Sequence, residues 1–127
     1  MTHSRYTGAA TIVATDLDAA TDAAAQLLGY LPDSNDQEPP RRDTDDPVDR
    51  QTPDAGEVIP PTSTGSYDVR AVIRAIADDG ELLELRPRWA ANVVTAFASV
   101  GGMPVGVVAN QPTVLAGTLD KIGRAHV

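Results

Sequence analysis

The chain has 127 residues, and its 18 acidic side chains outnumber its 10 lysine and arginine side chains, which gives a net charge of −8. That length allows one ordinary domain or parts of two, and the negative charge would repel phosphates, which argues against nucleic acid as a partner. The absence of cysteine excludes disulfides and thiol nucleophiles, and without an apolar run of about 20 residues or a secretory signal the chain is predicted to be cytoplasmic, with no membrane partner.

Residues 1–32 are predicted to form a short strand followed by a helix. Small and β-branched side chains over residues 8–14 favour a short buried strand. Thr15 or Asp16 then suits the N-cap of a helix, which Pro32 ends. One stripe of this helix is apolar and should pack against a neighbour. The stripe consists of Leu17, Ala20, Ala24, Leu27, Leu28 and Leu31.

Residues 33–66 contain six of the ten prolines and nine carboxylates, with no apolar periodicity. This composition predicts an extended, acidic interdomain linker stiffened by proline. An EF-hand loop needs glycine at its sixth position and glutamate at its twelfth, where a count from Asp43 finds Val48 and Asp54. We therefore expect the acidic cluster to be solvated and to hold no cation. Its members are Asp43, Asp45, Asp46 and Asp49.

Residues 67–121 are predicted to begin with a helix and a short strand. Asp68 suits the N-cap, and the helix should run through Asp78, with Gly80 at its C′ position. One face of that helix carries Val69, Val72, Ile73 and Ile76. A short strand made of Leu82, Leu83 and Leu85 should follow and end before Pro87.

A β-hairpin is predicted next. Residues 93–100 and 105–109 are rich in β-branched side chains, and the Gly-Gly-Met-Pro sequence of residues 101–104 suits the turn between them.

The segment after the hairpin contains turn residues. Residues 110–112 should break the strand, residues 113–115 should resume it, and residues 116–118 should form another turn. A helix and a hairpin with two apolar faces cannot bury themselves alone, so we expect residues 67–121 to open a longer domain.

Residues 121–127, at the C-terminal end, differ in composition from the rest of the chain. Lys121 is the only lysine, and it directly precedes the sequence Ile-Gly-Arg-Ala-His-Val of residues 122–127. Those six residues match the translation of a common sequencing adapter, so we hypothesise that they are an artefact and exclude them from the fold. Resequencing the locus tests this, because a genome that encodes the same six residues before a stop codon contradicts it.

Few side chains suggest chemistry. His3 and His126 are isolated and do not make a metal site, and none of the serines lies in a nucleophile elbow. Trp89 is expected to be a packed aromatic. Small residues after a strand leave backbone N–H groups free to face a ligand oxygen, which makes Ala116 and Gly117 candidates, with a plain tight turn as the alternative. Four further carboxylates are expected to be solvated: Asp78, Asp79, Glu81 and Glu84.

Several segments together resemble a known family. The most specific is Val-Gly-Val-Val-Ala-Asn-Gln-Pro at residues 105–112; supporting segments are residues 92–94, Gly102, Ala116-Gly117, Leu119-Asp120, Leu31-Pro32, residues 46–50 and residues 67–70. In these segments the chain resembles the carboxyltransferase (β) subunit of biotin-dependent acyl-CoA carboxylases, and propionyl-CoA carboxylase is the nearest type. The resemblance covers residues 3–120.

The resemblance implies a partial crotonase-like fold of the α/β class, in which β-β-α units stack into a superhelix. Residues 1–32 would be the C-terminal end of the first carboxyltransferase domain. Residues 33–66 would cross between domains, and residues 67–121 would be the truncated start of the second.

The resemblance also implies a reaction. Members of the family move a carboxyl group from carboxybiotin to the α-carbon of a short acyl-CoA such as acetyl-CoA or propionyl-CoA, and backbone N–H groups stabilise the enolates. The biotin is carried by a partner, the biotin carboxylase or biotin carrier subunit, and intact subunits often form hexamers. The family's Gly-rich oxyanion turns are missing here, so we expect an inactive fragment in which Ala116 and Gly117 are the candidate donors.

Two other functions are compatible with the sequence. The α subunit of a biotin-dependent acyl-CoA decarboxylase shares the fold, and neighbouring genes would distinguish it. A non-catalytic interaction module that associates through its apolar faces is the third hypothesis, and a soluble, cooperatively unfolding monomer would favour it.

Overall fold

The computed structural model describes residues 2–119 and shows a small α/β unit. Helices occupy Thr2–Arg5 (α1), Leu17–Leu28 (α2), Pro53–Val58 (α3) and Val69–Ile76 (α4). Strands occupy Leu83–Leu85 (β1), Val93–Val100 (β2) and Met103–Asn110 (β3), and short 3-10 turns occupy Asp78–Gly80 and Leu115–Gly117. Within these residues no helix combines the length and apolarity needed to cross a bilayer. The artefact proposed for residues 122–127 lies outside the described residues.

The three strands form an antiparallel sheet in the order β1-β2-β3. Leu83 pairs with Phe97 and Val100 pairs with Met103, so the predicted hairpin is confirmed. Its turn is shorter than expected, because Gly101 and Gly102 alone connect the strands, with φ of +59° and +76°. Positive φ at both central residues matches the twist of a hairpin, and only glycine adopts it without strain.

The two faces of the sheet are covered by different parts of the chain. Alternate β2 residues Ala96 and Ala98 are buried, and Ala98 lines a small apolar crevice with Ile73 of α4. On the other face Tyr30 stacks on Phe97 with ring centroids 5.5 Å apart. The guanidinium of Arg42 lies 4.1 Å from the centre of the Tyr30 ring, so Tyr30 and Arg42 cover part of this face.

Residues 8–14 do not form the predicted strand. They run as irregular chain beside β1, where the Arg86 N–H donates to the Thr11 carbonyl at 2.8 Å and the Arg86 side chain donates to the Gly8 carbonyl at 3.0 Å. These two bonds do not make a ladder. Gly8 has φ +65° and lies directly against the ring of Trp89. The expected packing of Trp89 is thereby confirmed.

Gly8 should be intolerant of a side chain. A Cβ built at this position lies 2.5 Å from Cδ2 of Trp89, and the positive φ is strained for any other residue. We expect Gly8→Ala to lower the free energy of unfolding by about 2–3 kcal/mol, measured by urea denaturation. Gly106→Ala is the matched control, since its Cβ would meet open space. Equal effects of the two substitutions would contradict the close Gly8–Trp89 contact.

Helix α2 begins where the sequence predicts. Asp16 is the N-cap, and its carboxylate accepts a hydrogen bond from the Ala19 N–H at 2.8 Å. None of the residues of α2 is buried, and Leu17 is 80% exposed and Leu28 67% exposed. The predicted apolar stripe is therefore largely exposed, and of its six residues only Leu27 is half-buried.

Residues 33–66 lie against the other elements more closely than a solvated linker would. The Arg42 N–H donates to the Gly102 carbonyl at 2.8 Å, and the Arg50 guanidinium donates to the Ala75 and Ala77 carbonyls at 2.9 and 3.3 Å. The segment also contains α3, which its composition does not predict. Asp46, expected to be solvated, instead pairs with Arg50.

The Asp46 pairing has an electrostatic consequence. The hydrogen bond from Arg50, reinforced by one from the Asp79 N–H at 3.1 Å, holds the pKa of the Asp46 carboxyl below its usual value. The interaction is complete at neutral pH and is lost only as acid protonates Asp46.

Helix α4 ends two residues earlier than predicted. Asp68 is the N-cap as expected, but the chain becomes extended at Ala77, with ψ of 147°, and turns Asp78 inward. The Asp78 carboxylate accepts the N–H groups of Gly101 and Gly102 at 2.8 Å each and is only 9% exposed. The prediction that Asp78 is solvated was therefore wrong. Gly80 lies at the end of the 3-10 turn, not at the C′ position of α4.

Candidate functional site

The candidate site is the last residue of β3 and the loop that follows it, residues 110–118. Residues 113–115 do not resume a strand as predicted, because the chain folds into a turn in which the Val114 N–H donates to the Gln111 carbonyl at 3.0 Å. Leu115, Ala116 and Gly117 then have consecutive φ values of +49°, +53° and +72°. The left-handed conformation costs about 1–2 kcal/mol for each non-glycine residue, so this turn is strained.

Two asparagine amides hold the end of this loop. Nδ2 of Asn110 donates to the Gly117 carbonyl at 2.7 Å, and Nδ2 of Asn92 donates to the Thr118 carbonyl at 2.8 Å. The Thr118 hydroxyl donates in turn to the Leu115 carbonyl at 2.7 Å. The loop is therefore fixed from the ends of both long strands.

Gln111 connects the loop to α4. Its side chain is fully buried; Nε2 donates to the Asp68 carboxylate at 2.7 Å, and Oε1 accepts the Val69 N–H at 3.2 Å. Its backbone N–H donates to the Asn92 carbonyl at 2.9 Å. One buried amide thus satisfies an otherwise unpaired N–H at the start of α4 and locks the helix to the loop.

An ion network continues from Asp68 toward β1. The Arg70 guanidinium donates two hydrogen bonds to the Glu84 carboxylate, at 2.6 and 2.7 Å. The prediction that Glu84 is solvated was therefore also wrong. The hydrogen bond to Glu84 raises the pKa of Arg70. Burial opposes ionisation of Asp68, but hydrogen bonds from Gln111 and Arg70 outweigh it and lower its pKa. Asp68 and Arg70 are therefore both charged at neutral pH.

The two sequence-derived candidates occupy different positions in the strained turn. Gly117 is buried, and its N–H donates to the Val114 carbonyl at 2.9 Å within the turn. Ala116 is exposed, and its N–H has no hydrogen-bond partner among the residues that the structure describes. An exposed backbone donor in a fixed turn is suited to bind a carbonyl oxygen on which negative charge develops.

The other candidates are not brought together. His3 is exposed and lies 3.3 Å from the Thr7 hydroxyl, and His126 is outside the described residues. Across residues 2–119 no group of three or more histidine or acidic side chains is placed to hold a metal ion. Sequence reasoning missed the roles of Asn92, Asn110 and Gln111, although amide side chains beside a proline and a glycine turn were a usable signal.

Comparison with known proteins identifies the family. The model of the carboxyl transferase domain matches residues 1–123. The chain belongs to the carboxyl transferase domain family. It is 42% identical over 118 residues to the methylmalonyl-CoA carboxyltransferase 12S subunit of Propionibacterium freudenreichii subsp. shermanii, covering 93% of this chain and 22% of that subunit. It is 38% identical over 120 residues to the α subunit of methylmalonyl-CoA decarboxylase from Veillonella parvula, covering 94% of this chain and 24% of the relative.

A solved carboxyl transferase shares the fold. The transcarboxylase 12S crystal structure, a hexamer with hydrolysed methylmalonyl-CoA bound, superposes with a TM-score of 0.90 at 40% identity and covers 96% of this chain and 24% of that chain. The expected partial crotonase-like α/β fold and the assignment to a carboxyltransferase enzyme family are confirmed. The chain spans about a quarter of the length of these relatives.

Proposed function

We propose that this chain serves as part of a carboxyltransferase subunit that moves CO2 from carboxybiotin to the α-carbon of a short acyl-CoA, of the acetyl-CoA or propionyl-CoA type. The superposition on transcarboxylase 12S, at 40% identity over nearly the whole chain, carries this proposal. The partner would be a biotin carboxylase or biotin carrier subunit, and the assembly a homo-hexamer like that of the 12S protein.

The strained loop would contribute one hydrogen-bond donor to this reaction. Removing the α-proton of a thioester places negative charge on an oxygen, and a preorganised N–H stabilises that charge without reorganisation. Ala116 offers such a donor, and Gly117 maintains the turn by the bond of its own N–H to Val114. A single donor is a small part of a catalytic site, so we propose that the chain alone does not turn over substrate.

A decarboxylase is the second candidate. The 38% identity to the Veillonella methylmalonyl-CoA decarboxylase α subunit favours it, because that protein belongs to the same family. The two functions run the same transfer in opposite directions, because a biotin-dependent decarboxylase moves the carboxyl group from the acyl-CoA to biotin. The neighbouring genes therefore distinguish them.

Grafting the chain into a relative tests the proposal. Residues 3–119 would replace the matching segment of the 12S subunit, and transfer of the carboxyl group between methylmalonyl-CoA and biotin would be assayed. We expect a hexamer whose kcat is within about tenfold of the parent, and no turnover from the 127-residue chain alone.

Three other outcomes are informative. A hexameric graft without turnover contradicts the proposed transfer function. Release of propionyl-CoA without carboxylation of biotin contradicts transfer to biotin, and with it both candidate functions. Turnover by the isolated chain contradicts the proposal that it is inactive by itself.

A further inference from the structure

The strained turn is not held by packing of its own side chains. Leu115 is an apolar residue with a left-handed backbone, yet it is 62% exposed. Ala116 is also exposed, so neither side chain gains enough burial to offset the unfavourable backbone. Strained conformations of this kind persist only where surrounding interactions determine them, and they cluster at functional sites.

Side-chain amides supply those interactions. Asn110 donates to the Gly117 carbonyl at 2.7 Å, and its Cβ lies 3.5 Å from the position that a Cβ on Gly117 would occupy. Asn92, almost fully buried, donates to the Thr118 carbonyl at 2.8 Å. Both bonds end within two residues of Ala116, on its C-terminal side, and both originate in or next to strands of the sheet.

We propose that Asn110 and Asn92 are positioning residues for carboxyl transfer, which hold the left-handed turn so that the Ala116 N–H points at the reacting oxygen. This inference rests on the proposed function. Neither side chain needs to touch the substrate. Their contribution is to preset the direction of the donor, which matters because small displacements of a catalytic group reduce the rate strongly.

Asn110→Asp is the sharpest variant, because it keeps the size of the side chain and removes the donor. Val108→Thr is the matched control, since Val108 lies two residues earlier on the same exposed face of β3. Asn92→Asp repeats the test on the second amide.

The first measurement uses the 127-residue chain and does not depend on enzymatic activity. Amide hydrogen exchange at Gly117 and Thr118, whose N–H groups are bonded within the turn, should quicken about tenfold in Asn110→Asp and stay unchanged in Val108→Thr. Exchange along the β2–β3 ladder should not change in either variant. Unchanged exchange at Gly117 and Thr118 would overturn the proposal that Asn110 holds the turn.

The second measurement uses the graft in the 12S subunit. Asn110→Asp should lower kcat by about tenfold or more while KM and the hexamer stay unchanged. A purely structural role would instead lower the melting temperature or the amount of hexamer and leave kcat alone. An active graft whose kcat does not respond to Asn110→Asp overturns the positioning role alone, whereas an inactive unsubstituted graft overturns the proposed function and this inference together.

Discussion

Replacing Asp78 with alanine should lower the free energy of unfolding by about 3 kcal/mol, which is a large fraction of the stability of a chain of this size. The carboxylate accepts two hydrogen bonds of 2.8 Å from Gly101 and Gly102, and Gly102 is buried. Truncation leaves both N–H groups without their charged acceptor. It also removes the link between the end of α4 and the tip of the hairpin, so loss of stability should be accompanied by faster amide exchange at both glycines.

Asp45→Ala is the control for this experiment. It removes the same negative charge from an exposed position, and it should change the free energy of unfolding by less than about 0.5 kcal/mol. Urea denaturation of both variants gives the comparison. A loss of less than about 1 kcal/mol in Asp78→Ala would contradict the inward orientation of Asp78.

The parts of the fold that the sequence predicts well are those specified locally. The N-caps Asp16 and Asp68 and the glycine pair at residues 101 and 102 each act on residues next to them in the chain. The hairpin follows because two β-branched runs flank a turn that only glycine makes easily. Local signals of this kind do not depend on the rest of the molecule.

The sequence-based predictions that were wrong share a different physical cause. Residues 8–14 have β propensity, but their conformation depends on Arg86 and Trp89, about 80 residues away in the chain. Asp78 resembles a solvated carboxylate until the hairpin turn supplies two donors. Tertiary partners decide both cases, and a single sequence does not reveal those partners.

In the candidate site, too, the sequence indicates some features and only the structure shows the others. Small residues after the hairpin indicated Ala116 and Gly117, but positive φ at Leu115 and Ala116 has no local signal in the sequence, because neither residue type favours it. The amides that stabilise the turn were named from the sequence as part of the family resemblance, without a role. Their hydrogen bonds to Gly117, Thr118 and Asp68 appear only in the structure.

The largest effect on activity is expected from removing the Ala116 N–H. An ester at this position, introduced with lactic acid in place of alanine, deletes the donor and keeps a backbone that adopts positive φ. Proline would not serve, because its ring fixes φ near −65° and would break the turn. Loss of one oxyanion donor costs about 10²–10³ in kcat, so the grafted 12S subunit should lose activity by that factor.

An ester at Leu115 is the matched control. The ester at Ala116 weakens the Leu115 carbonyl as an acceptor, and the ester at Leu115 weakens the Val114 carbonyl. Each of these carbonyls accepts one backbone N–H, and the Leu115 carbonyl also accepts the Thr118 hydroxyl. Only the first ester removes the proposed donor. The kcat of carboxyl transfer by the two esters in the graft is the most direct test of the account. If the Ala116 N–H is the donor, kcat should fall by a factor of about 10²–10³ in the Ala116 ester and by less than about tenfold in the Leu115 ester. Equal kcat values for the two esters would contradict the proposed donor.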